Sequence, residues 1–326
     1  MTDLELDVDT GPTLDSGLDL GVGAVLIVTP HSSGHVPQDL LAAMLGAARD
    51  DLAARERLLR RIYLQGDPHT DVIFDVPGAT ALHAWASRFV VDVNRPRDKK
   101  GPNGVVKLTD FDSAPFYQPD STPTEADIEE RLRRYWDPFH AAIDRLIEEQ
   151  AIELLLDGHS MSGTGPLLGP DSGAKRPAIT LMTGGGADGE PRGAESPSLA
   201  PSLEPSLAPA LARELRVLAE QALAAVIDEA RAEVEPVVAL NRPWSVDELS
   251  YQHGPPAGVP AFGLEINRDL YLDEASGQPY QERVRALRAG IISFVSAALA
   301  ATRRHAATQN ASGRNAPRRD APGGAA

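Results

Sequence analysis

The chain has 326 residues, 42% of them apolar, and carries 31 Lys and Arg against 47 Asp and Glu, for a formal net charge of -16. A chain of this length forms one domain or at most two and buries roughly 75% of its unfolded surface; with no cysteine it excludes disulfides, thiolate metal sites, iron–sulfur clusters and cysteine nucleophiles. The acidic balance argues against a nucleic-acid partner, and no apolar run approaches the roughly 20 residues of a membrane span.

Residues 1–21 hold Asp3, Glu5, Asp7, Asp9, Asp15 and Asp19 and lack the basic-then-apolar order of a signal peptide. They read as a disordered acidic leader of a cytoplasmic protein. The first strand is expected over Ala24 to Thr29, and Pro30-His31-Ser32-Ser33-Gly34-His35 leaves it abruptly. A histidine is thereby presented where loops converge at a strand end. Asp67-Pro68-His69-Thr70-Asp71 follows a helical stretch and is dense in metal donors, with Asp67 and Asp71 both candidates. Phe89 to Val93 reads as a second strand inside Ser87-Arg88-Phe89-Val90-Val91-Asp92-Val93-Asn94-Arg95-Pro96. Its alternation puts Asp92 and Asn94 on one face, and the Arg95 fork at its end suits bidentate capture of a carboxylate.

From Glu125, Ile128, Leu132, Tyr135, Phe139, Ile143 and Leu146 return at helical spacing behind a Thr124/Asp127 capping box. Glu153 to Leu156 is the third strand, and Leu154-Leu155-Leu156-Asp157-Gly158-His159-Ser160 repeats the first construction, an apolar strand and then His-Ser. If the strand runs on, Asp157 and His159 share a face and the carboxylate orders the histidine. Two such strand ends suggest a metal held by His and carboxylate. Ala178 to Met182 and Val237 to Leu240 are further strands, separated by Ser198-Leu-Ala-Pro, Ser202-Leu-Glu-Pro and Ser206-Leu-Ala-Pro, whose prolines forbid a continuous helix, and then by a helix over Leu211 to Ile227. In the strand Phe262 to Ile266, Glu265 is an acid in an apolar run and needs a partner. A helix over Val284 to Leu299 closes the pattern. From Thr302 to Ala326 five arginines stand against one aspartate among small residues, which reads as a disordered basic tail. Interleaved strands and helices imply one α/β domain over 22–301 with a largely parallel sheet and a Pro-rich insert at about 190–209.

Taken together, Pro30-His31-Ser32, the Asp67 segment, the Ser87–Pro96 block, Asp157-Gly158-His159-Ser160 and Leu264-Glu265 resemble, in this order, N-formylglutamate amidohydrolases. The resemblance covers roughly residues 22–300. It implies a three-layer α/β/α sandwich around a mostly parallel mixed sheet, phosphorylase/hydrolase-like and distantly similar to zinc carboxypeptidases. It also implies one zinc per chain on His31, Asp67 and His159, Glu265 as general base, and Asn94 and Arg95 on a substrate carboxylate, with Arg88 and His253 as further substrate-binding candidates. The implied reaction is hydrolysis of the N-acyl amide of an acidic amino acid by zinc-activated water. The chain departs from a His-x-x-Glu metal pairing, since Gly34 stands three residues after His31, so the second ligand comes from a distant segment.

Two other classes compete. Gly158-His159-Ser160-Met161-Ser162 is one residue short of the nucleophile elbow of serine hydrolases, and Ser160, Asp247 and His253 follow in triad order. A non-catalytic relative would keep the pocket as a binding site for acidic metabolites. Neither the acyl group, the amino acid released nor the oligomeric state is legible.

Overall fold

A computed structural model describes residues 8–9, 22–192 and 204–311. The elements are β1 (Val8–Asp9), β2 (Val25–Thr29), α1 (Gln38–Leu45), α2 (Leu52–Gln65), α3 (Thr70–Ile73), β3 (Thr80–His83), α4 (Glu125–Arg131), α5 (Asp137–Glu149), β4 (Leu154–Met161), β5 (Pro177–Met182), α6 (Pro209–Glu229), β6 (Glu235–Leu240), α7 (Glu248–Ala257), β7 (Ala261–Asn267), β8 (Leu272–Asp273), β9 (Gln278–Pro279) and α8 (Gln281–Ala311). Strands β8 and β9 pair separately. The main sheet has the order β1-β3-β2-β4-β7-β5-β6. Strands β3, β2, β4 and β7 run parallel, β5 is antiparallel to β7 and parallel to β6, and β1 is antiparallel to β3.

Each central strand is apolar on both faces, as a covered parallel sheet requires. Val25, Ile27, Leu154, Leu156, Phe262 and Leu264 face a core with α6 and α8. Leu26, Val28, Leu155 and Ala261 face a second core with α1, α5 and several loops. Two cores on one sheet make the three-layer α/β/α sandwich expected from the resemblance.

Several expectations need correction. Phe89 to Val93 is not a strand: Val90 N–H bonds back to Ser87 O at 2.8 Å and Asp92 N–H to Val105 O at 2.6 Å, so the segment is a chain of turns. Its apolar residues fill the second core from a loop, which periodicity cannot distinguish from a strand. The strand on this side of the sheet is instead Thr80–His83, too short to stand out. The leader contributes an edge strand at Val8–Asp9, and its other residues lie outside those described. The last helix continues ten residues past Ala301, to Ala311. Extending an existing helix through alanine carries no nucleation cost, and Glu214 of α6 holds Arg304 at 2.7 Å and His305 at 2.8 Å. Residues 193–203 of the Pro-rich repeat and 312–326 of the tail lie outside those described.

Contrary to the sequence expectation, α8 is long and apolar enough, by length and composition, to cross a membrane. Half of that apolar window is buried in the protein, with Leu287, Ile291, Phe294 and Val295 in the first core. The helix expected over Glu125–Leu146 forms with its capping box, Thr124 N–H donating to Asp127 Oδ2 at 2.8 Å, but a π-helical turn at Leu132–Trp136 separates α4 from α5.

Candidate metal centre and active site

Strand parity determines which side chains meet. In β4, Asp157 and His159 share the face of Leu155, because alternate residues point the same way. Its parallel neighbour β7 places Glu265 in register with His159. His31 stands two residues past β2, the neighbour on the other side. Asp67 arrives from the end of α2, where its N–H donates to the His31 carbonyl at 3.0 Å. Gly66 permits this approach, since a Cβ there would lie 3.0 Å from the same carbonyl oxygen. Tyr271 Oη donates to Pro68 O at 2.7 Å and pins the turn.

The three side chains converge. Asp67 Oδ2 lies 3.4 Å from His31 Nδ1 and 3.0 Å from His159 Nδ1, and each residue is only 2% exposed. The outer nitrogens face carboxylates. His31 Nε2 is 2.8 Å from Asp92 Oδ1, and His159 Nε2 is 2.9 Å from Asp157 Oδ2 and 3.4 Å from Asp247 Oδ1. At His31 the Asp92 carboxylate fixes the proton on Nε2 and leaves the Nδ1 lone pair for a metal, while His159 Nε2 also lies 3.0 Å from Asn94 Nδ2. His31 Nδ1 is buried without a hydrogen-bond partner. Two imidazoles and one carboxylate around an orphaned nitrogen fit zinc, and Asp71, exposed on α3, has no part in the group.

Burial by itself would raise the Asp67 carboxyl, but the facing His159 and His31 rings and the Arg88 charge hold it well below the usual carboxylate range. Burial pushes the His31 imidazole down, aided by the Arg88 charge. Asp92, with no exposure, is kept ionised against its burial by Arg88, Lys107 and His31; Arg88 Nη2 and Lys107 Nζ each lie 2.9 Å from its Oδ2. Burial raises Glu265 to about 7, and its Oε2 is buried with no hydrogen-bond partner.

The model of the N-formylglutamate amidohydrolase family matches residues 23–272. The chain belongs to the N-formylglutamate amidohydrolase family. An N-formylglutamate deformylase of Pseudomonas putida is 28% identical over 271 residues, covering 79% of this chain and 85% of the relative. A deformylase of the same description from Pseudomonas aeruginosa is 29% identical over 235 residues, covering 68% and 76%. The crystal structure of N-formylglutamate amidohydrolase from Ralstonia eutropha JMP134 has a TM-score of 0.62 at 22% identity, over 86% of this chain and 94% of that one. A crystal structure of a gene product from Agrobacterium tumefaciens gives 0.53 at 18% identity, over 87% and 92%. These two likenesses show a shared fold.

Within this family member, the remaining expected residues divide. Arg95 is half-buried, its Nη1 donates to Asn94 O at 2.6 Å, and its buried Nε has no partner. Arg88 spends Nε and Nη2 on Asp92, and its Nη1 reaches Asp67 Oδ1 at 3.5 Å. The Asn94 amide is also used internally: Nδ2 donates to Asp247 Oδ1 at 2.8 Å and Oδ1 accepts from Leu249 N at 3.0 Å. His253 is not brought to the site. Its Nδ1 lies 2.6 Å from Asp144 Oδ1 and its Nε2 2.8 Å from His140 Nδ1, so it reaches neither Ser160 nor Asp247 and the serine triad is not assembled.

Sequence reading missed Lys107 and gave Asp92 no role. A lysine in the apolar run Val105-Val106-Lys107-Leu108 was the available signal for the first. Asp247 appeared only as a triad member. It caps α7 by accepting from Ser250 N at 2.9 Å, a local role that hides its approach to His159.

Proposed function

We propose that this protein hydrolyses the formyl amide of N-formylglutamate or a closely similar N-formyl acidic amino acid, releasing formate and the free amine, in a zinc-dependent reaction. The observation that carries this reading is the convergence of His31 Nδ1, Asp67 Oδ2 and His159 Nδ1, with carboxylates on both outer nitrogens, beside the unpartnered carboxyl of Glu265. Bound there, zinc supplies Lewis-acid polarisation of the scissile carbonyl and acidifies water.

The chain's own residues do the rest. Glu265 takes a proton from the attacking water and returns it to the leaving nitrogen, which otherwise departs poorly. A carboxyl raised by burial is suited to both directions of this transfer. Arg95, half-buried and without an ion-pair partner among the described residues, receives the substrate carboxylate and orients the amide. Arg88 and Asn94 act as positioning residues: Arg88 holds Asp92 and Asp67, and Asn94 holds Asp247. Hydrolysis consumes one water, breaks the C–N bond and leaves no covalent enzyme intermediate.

The test is metal content of the purified protein together with formate release from N-formylglutamate before and after chelation. About one zinc per chain with chelator-sensitive release is expected. Activity that persists at full rate in metal-free protein would overturn the zinc dependence, and no release by zinc-loaded protein would overturn the substrate.

A further inference from the structure

The Val93–Arg95 segment carries the residue assigned to the substrate carboxylate, yet it belongs to no strand and has no ladder to satisfy its backbone. Each of its carbonyls is held by a side chain instead. Val93 O accepts from His140 Nε2 at 2.9 Å, Asn94 O from Arg95 Nη1 at 2.6 Å, and Arg95 O from Trp136 Nε1 at 3.0 Å. His140 enters twice, because the Trp136 indole stacks on its ring with centroids 3.6 Å apart and planes 21° from parallel. The π-helical turn ends at Trp136, four residues before His140, and sets both rings under the segment.

Behind His140 stands His253 of α7, and behind that Asp144, whose side chain is 62% exposed. The hydrogen count in this chain is fixed by its ends. His140 Nε2 faces a carbonyl and must carry a hydrogen. His253 Nδ1 faces a carboxylate and carries one while Asp144 is ionised. The contact between the rings needs one donor, so four ring nitrogens hold three hydrogens and one ring is an imidazolium. Burial, with the neighbouring His253, pushes His140 down to about 3, which leaves the extra proton to His253. Burial lowers His253 on balance, against the opposing pull of Asp144, so it is the contact geometry of the chain that calls for the third hydrogen. The titratable groups that act on the pair are Asp144 on His253 and Asp137 on His140, both from α5, and His253 on His140.

We propose that Asp144, His253, His140 and Trp136 form a positioning relay that sets the Arg95 guanidinium for the substrate carboxylate, complete only while His253 is protonated. This rests on the assignment of Arg95 above. Loss of the proton removes the donor between the rings, frees His140 to turn, and loosens the two carbonyl anchors on either side of Asn94.

The experiment uses the zinc-loaded full chain and two readouts. Ring nitrogen shifts of the histidines, assigned with His140→Phe and His253→Phe, are followed with pH alongside the Arg95 Nε–H signal. The Michaelis constant for N-formylglutamate is measured over the same range. The expected result is one doubly protonated ring at low pH, an Arg95 signal that moves with its midpoint, and a KM that rises about tenfold through it, the size of one lost charged hydrogen bond, with kcat changing less. Asp144→Asn, on an exposed side chain, should move all three midpoints to lower pH. Two neutral rings throughout, or an Arg95 signal and KM indifferent to Asp144→Asn, would overturn the relay. Failure of the wild type to release formate would sink the substrate assignment alone, and the ring and Arg95 signals would still decide the relay.

Discussion

Asp92 Oδ1 lies 2.8 Å from His31 Nε2, while the other oxygen of the same carboxylate takes Arg88 and Lys107. One buried aspartate thus orients a histidine of the proposed metal group and is itself held ionised by Arg88 and Lys107. Asp92→Asn keeps the shape and removes the charge that fixes the His31 tautomer. Zinc affinity, measured by chelator competition, should fall about 10- to 100-fold, with activity restored by excess zinc. Unchanged affinity would remove Asp92 from the metal site's design.

Glu265→Gln separates base chemistry from metal binding. Glu265 is in register with His159 but is not one of the three converging side chains. The variant should bind zinc as the wild type does and lose about 100-fold or more in kcat, the scale of a missing general base. A near-normal rate would assign proton transfer to another group.

Gly263 lies in β7 where a Cβ would sit 2.5 Å from Met182 Cε and 2.8 Å from Asp247 Cβ. Met182 can bend away, but Asp247 is held by Asn94 and Ser250. Gly263→Ala should destabilise by about 1–3 kcal/mol in denaturant titration, as overpacked sites do, and should weaken zinc binding by displacing Asp247 from His159. Wild-type stability and zinc affinity would show that this face has room to spare.

The last turns of α8 are tied down by Glu214, whose carboxyl is lowered by hydrogen bonds from Arg304 and His305. A carboxyl lowered in the folded state stabilises it above its unfolded pKa, and that contribution disappears as pH falls through the folded value. Amide exchange over 303–311, corrected for its intrinsic rate, should therefore quicken below about pH 4.5. Glu214→Gln should show the fast rate at every pH. Equal protection in both proteins would mean that alanine propensity alone holds these turns.

How much of this was legible depended on the range of the signal. The buried strands β2, β4, β5 and β7 were visible because a doubly covered strand is a continuous apolar run, and the pairing of Asp157 with His159 followed from strand parity alone. His31, His159 and Glu265 stood out as polar residues on or just past such runs. Local pattern failed at Phe89–Val93, where an apolar run packs as turns, and at Thr302–Ala311, where small residues extend a helix already nucleated.

The amino-acid order by itself determined the α/β class, the absence of thiol chemistry and the histidines to watch, since these rest on composition and on periods of two and 3.6 residues. The convergence of Asp67, rather than Asp71, with His31 and His159, the spending of Arg88 and Asn94 on internal partners, and the pairing of His253 with His140 were set only by tertiary structure. Each depends on which distant segments a seven-stranded sheet brings together, and a burial partner 61 or 153 residues away leaves no local trace. Charges confined at that range are oriented by the groups that neutralise them, and those groups are chosen by the fold.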